Sequence, residues 1–380
     1  MQRFLALAGL CLAVFLAMTG MGLIVAALPE KYLRCQGGLH AAGWLSASFA
    51  LASMACQYPA GRLADRVGAR FVLAAGFALM AGSAVTYALA ETPPWLFAGR
   101  ALQGAGEAPV WALAPAVLAR LYPERRGRVM GLYNAAFHLG LMAGPLLGAW
   151  GAARLAGDPF TAFGWLCLAA MGLALVVPYG RPGRATAGVA RAGVARLPRV
   201  LLALLPALPL AGAAYGLLTS SLPVHLAGQA GYDSRALAWV FFQVYAGIAL
   251  SQGLAGRLSD RLGRLPFLVG GLAVMAAGLW GATASARGLG QAAFPALGLG
   301  LGAFTVASLA LVNDRCPATA RGRACGLYYL VWGLGYCAGP LVANSLGLPA
   351  TVAILAALAL AAAVLVGWTA LGPGSRPLAD

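Results

Sequence analysis

Charged side chains are scarce in this sequence of 380 residues, since Asp, Glu, Lys and Arg together make up only 9% of it. Soluble domains carry about 25% charged residues, and a soluble chain this apolar would expose large hydrophobic patches. The composition therefore excludes an ordinary soluble protein. It also offers few groups for acid–base chemistry, because only ten residues are acidic and three are histidine.

The seven cysteines show no functional pattern. Most of them lie in apolar runs, and the chain has no CxxC pair and no zinc-ligand spacing. They are interpreted as small apolar helix residues, and neither a cofactor nor a resident metal is expected. No nucleophile–base spacing or phosphate-binding loop is present, so an enzyme is the least favoured class of function.

Long apolar runs take the place of charge. The mean hydropathy is +0.81, and runs of about 20 residues, the length of a bilayer-spanning helix, recur along the chain. Because the runs are continuous and do not alternate, they predict helices rather than strands of a membrane barrel. Twelve spans are predicted, at residues 4–28, 41–60, 71–90, 95–118, 129–151, 160–179, 200–225, 234–255, 266–285, 290–312, 324–345 and 349–371.

The first apolar run has a signal peptide as its competing interpretation. It follows Arg3 and extends from Phe4 to Leu28. The apolar part of a signal peptide covers only about 7–15 residues. The run is therefore interpreted as an uncleaved first helix.

Basic residues are divided unequally between the two sides of this predicted topology. Twenty lie at the termini and in the loops of one side, and five lie on the other side. Because loops rich in Lys and Arg stay in the cytoplasm, the sequence predicts a multi-pass protein of the inner (cytoplasmic) membrane with both termini cytoplasmic. The net charge of +16 then reflects topology, and no nucleic-acid partner is expected.

An internal repeat relates the two halves of the chain. GRLADRVGAR, which starts at Gly61, is matched 195 positions later by GRLSDRLGRL, and RGRVMGLY from Arg126 is matched by RGRACGLY. Such duplication is typical of secondary transporters, whose halves rock about a central site. An Arg- and Gly-rich stretch lies between the halves, and it predicts an N-terminal bundle at 1–180, a cytoplasmic linker at 181–199 and a C-terminal bundle at 200–380.

The loop pattern G-x-x-x-D-R-x-G, the two six-helix halves and the basic central stretch resemble the major facilitator superfamily over essentially the whole chain. The resemblance implies an all-α membrane protein with twelve transmembrane helices in two pseudo-symmetric six-helix bundles, the major facilitator fold. It also implies that the repeated loop is a cytoplasmic gate, which holds the ends of the halves together when the protein faces outward. The gate residues are Gly61, Asp65, Arg66, Gly68, Arg70, Asp260 and Arg261.

The gate assignment has an alternative, which is a topogenic charge cluster at a tight turn. The family pattern usually ends in two basic residues, and Ala69 replaces one of them here. The second copy also keeps only one, Arg264.

Two further motifs resemble subfamilies. Arg100-Ala-Leu-Gln103-Gly104-Ala-Gly106 is similar to the motif of proton-coupled members, especially drug–proton antiporters, and residues 140–148 are similar to the antiporter motif of exporting members. Glycines spaced by four allow close helix approach in lipid, and their duplication favours a packing role. The packing residues are Gly140, Gly144, Pro145, Gly148, Gly335, Gly339 and Pro340.

Polar residues within the spans that the repeat does not duplicate are the candidates for chemistry. Glu107, which corresponds to Gly302 in the second half, is the only acid predicted well inside a span. Burying an ionised acid at mid-bilayer costs about 3 kcal/mol on insertion scales and more by other estimates. Proton coupling is therefore assigned to Glu107, Arg100 and His138, and a structural polar cluster is the alternative.

Substrate contacts are expected from the fourth span and from aromatic residues of the fifth and eleventh spans. His138 and Met142, with Met18 and Met21, suggest copper(I) as a minor hypothesis, because His and Met ligate soft ions. Met also fills gaps in apolar cores, and aromatic stripes often serve packing alone. The substrate candidates are Arg100, Gln103, Asn134, Tyr133, Phe137, Tyr329, Trp332 and Tyr336.

The leading hypothesis is a proton-coupled secondary active transporter that works by alternating access and exports small amphipathic organic molecules. The alternative is a proton symporter that imports an organic anion, because Glu107-Ala-Pro resembles symporters of that kind. Copper(I) transport and a non-transporting membrane receptor or scaffold are minor alternatives. The expected partners are a small-molecule substrate, protons and the lipid bilayer, and the protein is expected to be a monomer.

Overall fold

The fold is described from a computed structural model, which covers residues 2–150, 158–179, 204–284, 290–316 and 321–371. In these residues the chain forms thirteen α-helices and a short 3-10 helix at Leu39–Ala41. The α-helices are α1 (Gln2–Arg34), α2 (Trp44–Val67), α3 (Ala69–Ala88), α4 (Pro93–Leu121), α5 (Arg126–Trp150), α6 (Pro159–Val176), α7 (Leu208–Leu218), α8 (Ser221–Gln229), α9 (Ser234–Leu262), α10 (Leu265–Ala284), α11 (Gly290–Arg315), α12 (Arg321–Leu346) and α13 (Leu348–Leu371).

Nine helices in the described part of the chain are long and apolar enough to cross a membrane. They include α1, α9 and α13, and each agrees with a predicted span to within a few residues at most ends. The nine do not include α4, whose middle contains Arg100, Gln103 and Glu107. The linker predicted at 181–199 lies outside the described residues.

The seventh predicted span, 200–225, is not one helix. In the described residues it forms α7 and α8, which are separated by a turn at Thr219 and Ser220. A proline ring clashes with the carbonyl four residues earlier in a helix, and Pro223 stands four residues after Thr219. The hydroxyl of Thr219 instead donates to the carbonyl oxygens of Tyr215 and Gly216, at 3.1 and 3.2 Å, which satisfies the end of α7.

The two repeated charged segments are more helical than the sequence predicts. Asp65 lies in the last turn of α2 and not in a turn before α3, and only Gly68 separates the two helices. Gly68 has φ 94° and its counterpart Gly263 has φ 86°. Glycine adopts this left-handed region without strain. The chain therefore reverses at Gly68 alone in the first copy and at Gly263 with Arg264 in the second.

The chain divides into two compact units. The first contains Met1–Ala187 with Pro223–Phe242, and the second contains Gly188–Leu222 with Gln243–Asp380. In the first unit α1 packs on α5 and α6, α3 packs on α4 and α6, and α2 packs on α4. In the second unit α10 packs on α11 and α13, and α7 packs on α12.

Glycines bring the first and fifth helices of the N-terminal half into backbone contact. A Cβ added to Gly144 of α5 would lie 2.3 Å from the carbonyl oxygen of Thr19 and 2.5 Å from the Cα of Gly22, both in α1. A Cβ added to Gly140 would lie 2.5 Å from the Phe15 oxygen. No side chain larger than hydrogen fits at these two positions without helix movement.

The corresponding helices of the second unit make the same kind of contact. A Cβ on Gly335 of α12 would lie 2.0 Å from the carbonyl oxygen of Pro209 in α7, and one on Gly339 would lie 2.5 Å from the Cβ of Ala213. The glycines that were predicted for helix packing thus lie at close helix contacts in both units. Gly148 differs, because its added Cβ has 3.7 Å to the nearest atom.

We expect Gly144→Val to destabilise the protein, because the side chain would force α1 and α5 apart. Overpacking of this kind costs about 1–3 kcal/mol. The measurement is the apparent unfolding midpoint of the purified protein in detergent. Gly148→Ala is the matched control and should leave the midpoint nearly unchanged. Equal midpoints for Gly144→Val and the parent chain would contradict the packing role.

Candidate functional site

Three polar side chains of α4 are buried inside the first unit. Arg100, Gln103 and Glu107 are 2%, 0% and 1% exposed. They stand at spacings of three and seven residues, which places them on one face of the helix. The structure therefore brings together the three α4 residues that the sequence singled out.

Arg100 is held by groups of α2 and α4. Its Nε donates to the Leu45 carbonyl oxygen of α2 at 2.8 Å, and a terminal nitrogen donates to Gln103 Oε1 at 2.9 Å. Its guanidinium carbon lies 4.5 Å from the ring centroid of Phe49, also in α2. Cation–π attraction and charge-assisted hydrogen bonds strengthen in a desolvated setting, so Arg100 fixes α4 against α2.

Gln103 extends this network to α3. The hydroxyl of Tyr87 donates to Gln103 Oε1 at 2.7 Å, so that oxygen accepts from both Tyr87 and Arg100. Gln103 Nε2 is buried and has no hydrogen-bond partner among the described residues. Sequence reasoning did not identify Tyr87 or Phe49, because a contact between helices leaves no spacing pattern in either one.

The glycines of the α4 motif explain how three helices meet here. A Cβ added to Gly104 would lie 2.2 Å from the Phe49 carbonyl oxygen of α2. A Cβ added to Gly106 would lie 2.5 Å from the Gly76 carbonyl oxygen of α3. The motif thus alternates polar residues that connect the helices with glycines that let their backbones touch.

Glu107 stands apart from the network. Neither of its carboxylate oxygens has a hydrogen-bond partner in the described ranges, and no ion pair with Arg100 is present there. Arg100, Tyr133 of α5 and Cys167 of α6 lie within electrostatic range of this carboxyl. A buried carboxylate with no partner is costly when it is ionised, so this position disfavours a permanent charge.

The predicted residues of α5 lie in different environments. Tyr133 and Phe137 are buried, and Tyr133 donates its hydroxyl to the Val110 carbonyl oxygen of α4 at 3.1 Å. His138 is partly buried, and its Nδ1 is 2.8 Å from the carbonyl oxygen of Asn134, which is itself exposed. The ring of His138 meets that of Phe137 edge-on.

A resident metal gains no support from the described residues. They contain no group of three or more His, Cys, Asp or Glu side chains with metal-binding geometry. Met18 is fully buried and lies beside Gly140, where it fills the contact between α1 and α5. The copper(I) hypothesis therefore still depends on residue types alone.

A cavity of about 310 Å³ lies at the C-terminal end of α1, and the sequence did not predict it. Glu30, Lys31 and Asp158 contribute charged groups to its lining. Each is engaged locally, because Glu30 pairs with Arg34, Lys31 donates to the Ala88 carbonyl oxygen, and Asp158 caps α6. These contacts give the charged groups of the cavity structural partners.

The first copy of the gate motif holds its own unit together through Arg70. Arg70 donates to the Val177 carbonyl oxygen at 3.2 Å and lies over the Tyr179 ring at 5.8 Å. Arg120 donates to the Tyr179 carbonyl oxygen at 3.1 Å. Asp65 is exposed and forms no ion pair within the described residues.

The second copy of the gate motif forms a local ion network. Arg264 pairs with Asp260 at 2.5 Å and with Asp314, at the end of α11, at 3.0 Å. It also donates to the Ser259 hydroxyl at 2.7 Å. The repeat offset places Ala64, Ala69 and Ala119 at the positions of Ser259, Arg264 and Asp314. The network therefore exists in one copy only.

The aromatic candidates of α12 also occupy different environments. Tyr329 is 44% exposed, whereas Tyr336 is buried and its hydroxyl lies 2.9 Å from that of Thr219. Trp332 is partly buried, and its ring stacks on that of Tyr336 at 5.5 Å. Trp332 and Tyr336 thus lie together, and Tyr329 lies outside their stack.

Comparison with known proteins identifies the family. The family model described as Major Facilitator Superfamily matches residues 10–238 and 204–379, which is nearly the whole chain. The chain belongs to the Major Facilitator Superfamily. It is therefore a multi-pass membrane transporter and not an enzyme, and the predicted fold class is confirmed.

Individual superfamily members resemble the chain more locally. An uncharacterised MFS-type transporter of Mycobacterium tuberculosis is 32% identical over 39% of this chain and 22% of its own length. A multidrug transporter protein of Bacillus subtilis is 29% identical over 39% of the chain and 28% of its own length. These matched segments span less than a third of either relative.

A solved superfamily structure agrees over the full length. The nucleoside transporter NupG superposes with a TM-score of 0.76 over 97% of this chain and 99% of its own. The sequence identity is 12%, so this likeness establishes the fold alone. The site geometry must be interpreted from this chain's own residues.

The ion network predicts an energetic difference between the two gate copies. In a double-mutant cycle, Arg264→Gln and Asp314→Asn should show a coupling free energy of about 0.2–1 kcal/mol, the usual range for exposed ion pairs. A cycle in the first copy with Arg70→Gln and Asp65→Asn should show almost none, because Arg70 donates to a backbone carbonyl and Asp65 forms no ion pair within the described residues. Both cycles are measured by chemical unfolding in detergent, and equal couplings would contradict the difference.

Proposed function

We propose that this superfamily transporter couples transport to protons, works by alternating access and exports small amphipathic organic molecules. The observation that carries the proposal is Glu107, a carboxyl group that is 1% exposed and has no hydrogen-bond partner in the described residues. Ionisable residues inside a membrane are functional candidates by default. The surroundings of this carboxyl group determine when it would gain and lose a proton.

The neutral form of Glu107 suits the closed surroundings that the structure shows. Ionisation there would place a charge on a group that is 1% exposed and that has no hydrogen-bond donor among the described residues. When the transporter opens and water reaches the carboxyl, ionisation becomes far less costly. A proton taken up on one side and released on the other then links the two conformations to the pH difference across the membrane.

Arg100 supports this role from a fixed position. Its bonds to Leu45 and Gln103 hold the positive charge on the α2 side of α4. From there it acts on Glu107 electrostatically without forming an ion pair in the described residues. We propose that Arg100 positions α4 and tunes Glu107, and that His138 is an accessory polar group.

Export is favoured by two likenesses. The glycine-rich segment of α5 resembles the motif of exporting superfamily members, and one relative bears the name multidrug transporter. The aromatic residues of the chain suit amphipathic cargo, because ligand sites are mostly apolar with a few polar groups. We propose inner-membrane localisation with cytoplasmic termini from the distribution of basic residues, and a monomeric state.

The gate residues are proposed to act unequally. Asp65 is exposed and carries no local ion pair within the described residues, so it is available to bind a group outside its own helix pair. Asp260 is already engaged by Arg264. We therefore assign to Asp65 of the first copy the gate contact that holds the cytoplasmic ends of the halves together. The second copy is assigned a local role, in which Arg264 links Asp260 to the end of α11.

Replacing Glu107 by Gln tests the coupling. The cargo is a compound chosen from a thermal-stability screen of amphipathic organic molecules, since specific binding raises apparent stability. In proteoliposomes with an imposed pH gradient, the parent chain should transport this compound at least about tenfold faster than Glu107→Gln, a loss equivalent to about 1.4 kcal/mol. Substrate counterflow, which needs no gradient, should persist in the variant.

Glu91→Gln is the matched control for this experiment. Glu91 is exposed in the turn between α3 and α4, so its replacement should leave gradient-driven transport unchanged. Undiminished gradient-driven transport by Glu107→Gln would rule out Glu107 as the coupling acid. Loss of counterflow as well would assign Glu107 to substrate binding or folding instead.

The direction of proton movement separates export from anion import. In vesicles without a gradient, adding substrate outside should acidify the external medium if the protein exchanges substrate for protons. External alkalinisation would instead support symport of an organic anion. The engagement of Arg100 by Leu45, Gln103 and Phe49 favours the first outcome, because symport would require Arg100 to face the substrate carboxylate.

A further inference from the structure

Three aromatic rings meet where α7 ends in the second unit. The Tyr215 ring lies 5.6 Å from that of Trp332 and 5.9 Å from that of Tyr336, and Trp332 stacks on Tyr336 at 5.5 Å. Two of the rings belong to residues that the sequence singled out. Tyr215 was not predicted, because it is isolated in an Ala- and Gly-rich helix.

Glycines and one hydroxyl pair hold this cluster rigid. A Cβ on Gly212 would lie 2.0 Å from the Trp332 carbonyl oxygen, and one on Gly216 would lie 2.2 Å from the Tyr336 oxygen. The backbones of α7 and α12 are therefore in direct contact beneath the rings. The Tyr336 hydroxyl is held at 2.9 Å by Thr219, which is in the turn between α7 and α8.

The outer part of the cluster is partly accessible. Tyr215 is partly buried on a helix whose other residues are buried apart from Pro209 and Leu210. On α12 the exposed side chains of Leu330 and Leu334 lie about 160° around the helix from Trp332, whereas the exposed Tyr329 lies about 60° from it. Tyr215 and Trp332 thus keep part of their surface accessible, and on α12 this surface lies on the same face as the exposed Tyr329.

The polar groups near the cluster are uncharged. No Asp, Glu, Lys or Arg occurs at 204–222 or at 324–346, the segments that contain the three rings. Ser221, two residues after Thr219, is 5% exposed, and its hydroxyl has no hydrogen-bond partner among the described residues. Interrupted helices with free polar groups are where transporters commonly bind their substrates.

We propose that Tyr215 and Trp332, supported by Tyr336, bind a planar aromatic ring of the transported molecule. Offset stacking on aromatic faces stabilises a bound ring beyond the effect of the area that it buries. The proposal rests on the transport function above and narrows its cargo to molecules with a flat conjugated ring. It is independent of Glu107, because a ring can stack in the absence of any proton gradient.

A probe pair with one carbon skeleton tests the proposal. The probes are 2-naphthol, which is planar, and its saturated counterpart decahydro-2-naphthol, which is not. The measurement is the probe-dependent rise in the apparent unfolding midpoint of the full chain in detergent. The parent chain and Trp332→Phe should be stabilised by 2-naphthol and much less by the saturated probe.

Variants locate the effect. Trp332→Leu and Tyr215→Leu should require at least about fivefold more 2-naphthol for the same rise in midpoint. Trp280→Leu, which removes a 53% exposed tryptophan of α10 in the same unit, should behave as the parent chain. Equal responses to both probes, or equal responses of the Trp332, Tyr215 and Trp280 variants, would overturn the proposal. If a leucine variant does not fold, the proposal is still tested by the response of Trp332→Phe and by the difference between the two probes in the parent chain.

Glu107→Gln separates this proposal from the coupling hypothesis. This variant should keep the full response to 2-naphthol, because the rings lie in the other unit and binding is measured without a gradient. A preserved 2-naphthol response with unimpaired gradient-driven transport would support the ring site while ending the coupling hypothesis. A lost discrimination between the probes in the parent chain would end the ring site alone.

Discussion

Contact between helix backbones is the constraint on which the structure depends. In lipid there is no hydrophobic force between helices, so close van der Waals packing must hold them together. This chain has 52 glycines and places several of them where two backbones touch, such as Gly144 on Thr19 and Gly335 on Pro209. The repeat preserves these contacts because corresponding helices of both units pack through direct backbone contact.

Close packing also determines what polar residues can do. Gly104 and Gly106 let α4 pack closely against α2 and α3, which excludes water. A polar side chain there must therefore form hydrogen bonds within the protein, because burying it without a partner costs free energy. Arg100 finds a carbonyl, an amide oxygen and an aromatic face within reach. Glu107 finds no hydrogen-bond partner in the described residues. The packing that gives Arg100 its partners thus places Glu107 where an ionised carboxylate is costly.

The sequence predicted what is periodic or duplicated. Apolar runs located most helices, and the repeat located the packing glycines, because both are written as spacings along one chain. It did not predict the helix break before Ser221. The apolar run there is long enough for one continuous helix, and this pattern outweighed the steric clash of Pro223 with the carbonyl of Thr219. It could not predict the contacts of Arg100 with Leu45 and Phe49, because they join helices far apart in sequence. Aligning the two copies would, by contrast, have shown that alanines stand at the first-copy positions of Ser259, Arg264 and Asp314.

Duplication followed by divergence explains how the chemistry is distributed. The two units share their glycine contacts. Among the described residues, the buried charged side chains Arg100 and Glu107 lie in the first unit, and the clustered rings of Tyr215, Trp332 and Tyr336 lie in the second. A buried carboxyl group can gain or lose a proton, and a polar substrate bound beside it would change its electrostatic surroundings. Stacking on an aromatic ring binds a substrate without any change of protonation. The proposed coupling group and the proposed ring site thus lie in separate units, so a mutation at one does not alter the packing around the other. The glycine contacts join particular helix pairs, such as α1 with α5 and α7 with α12, and neither helix of such a pair can shift alone without changing a backbone contact.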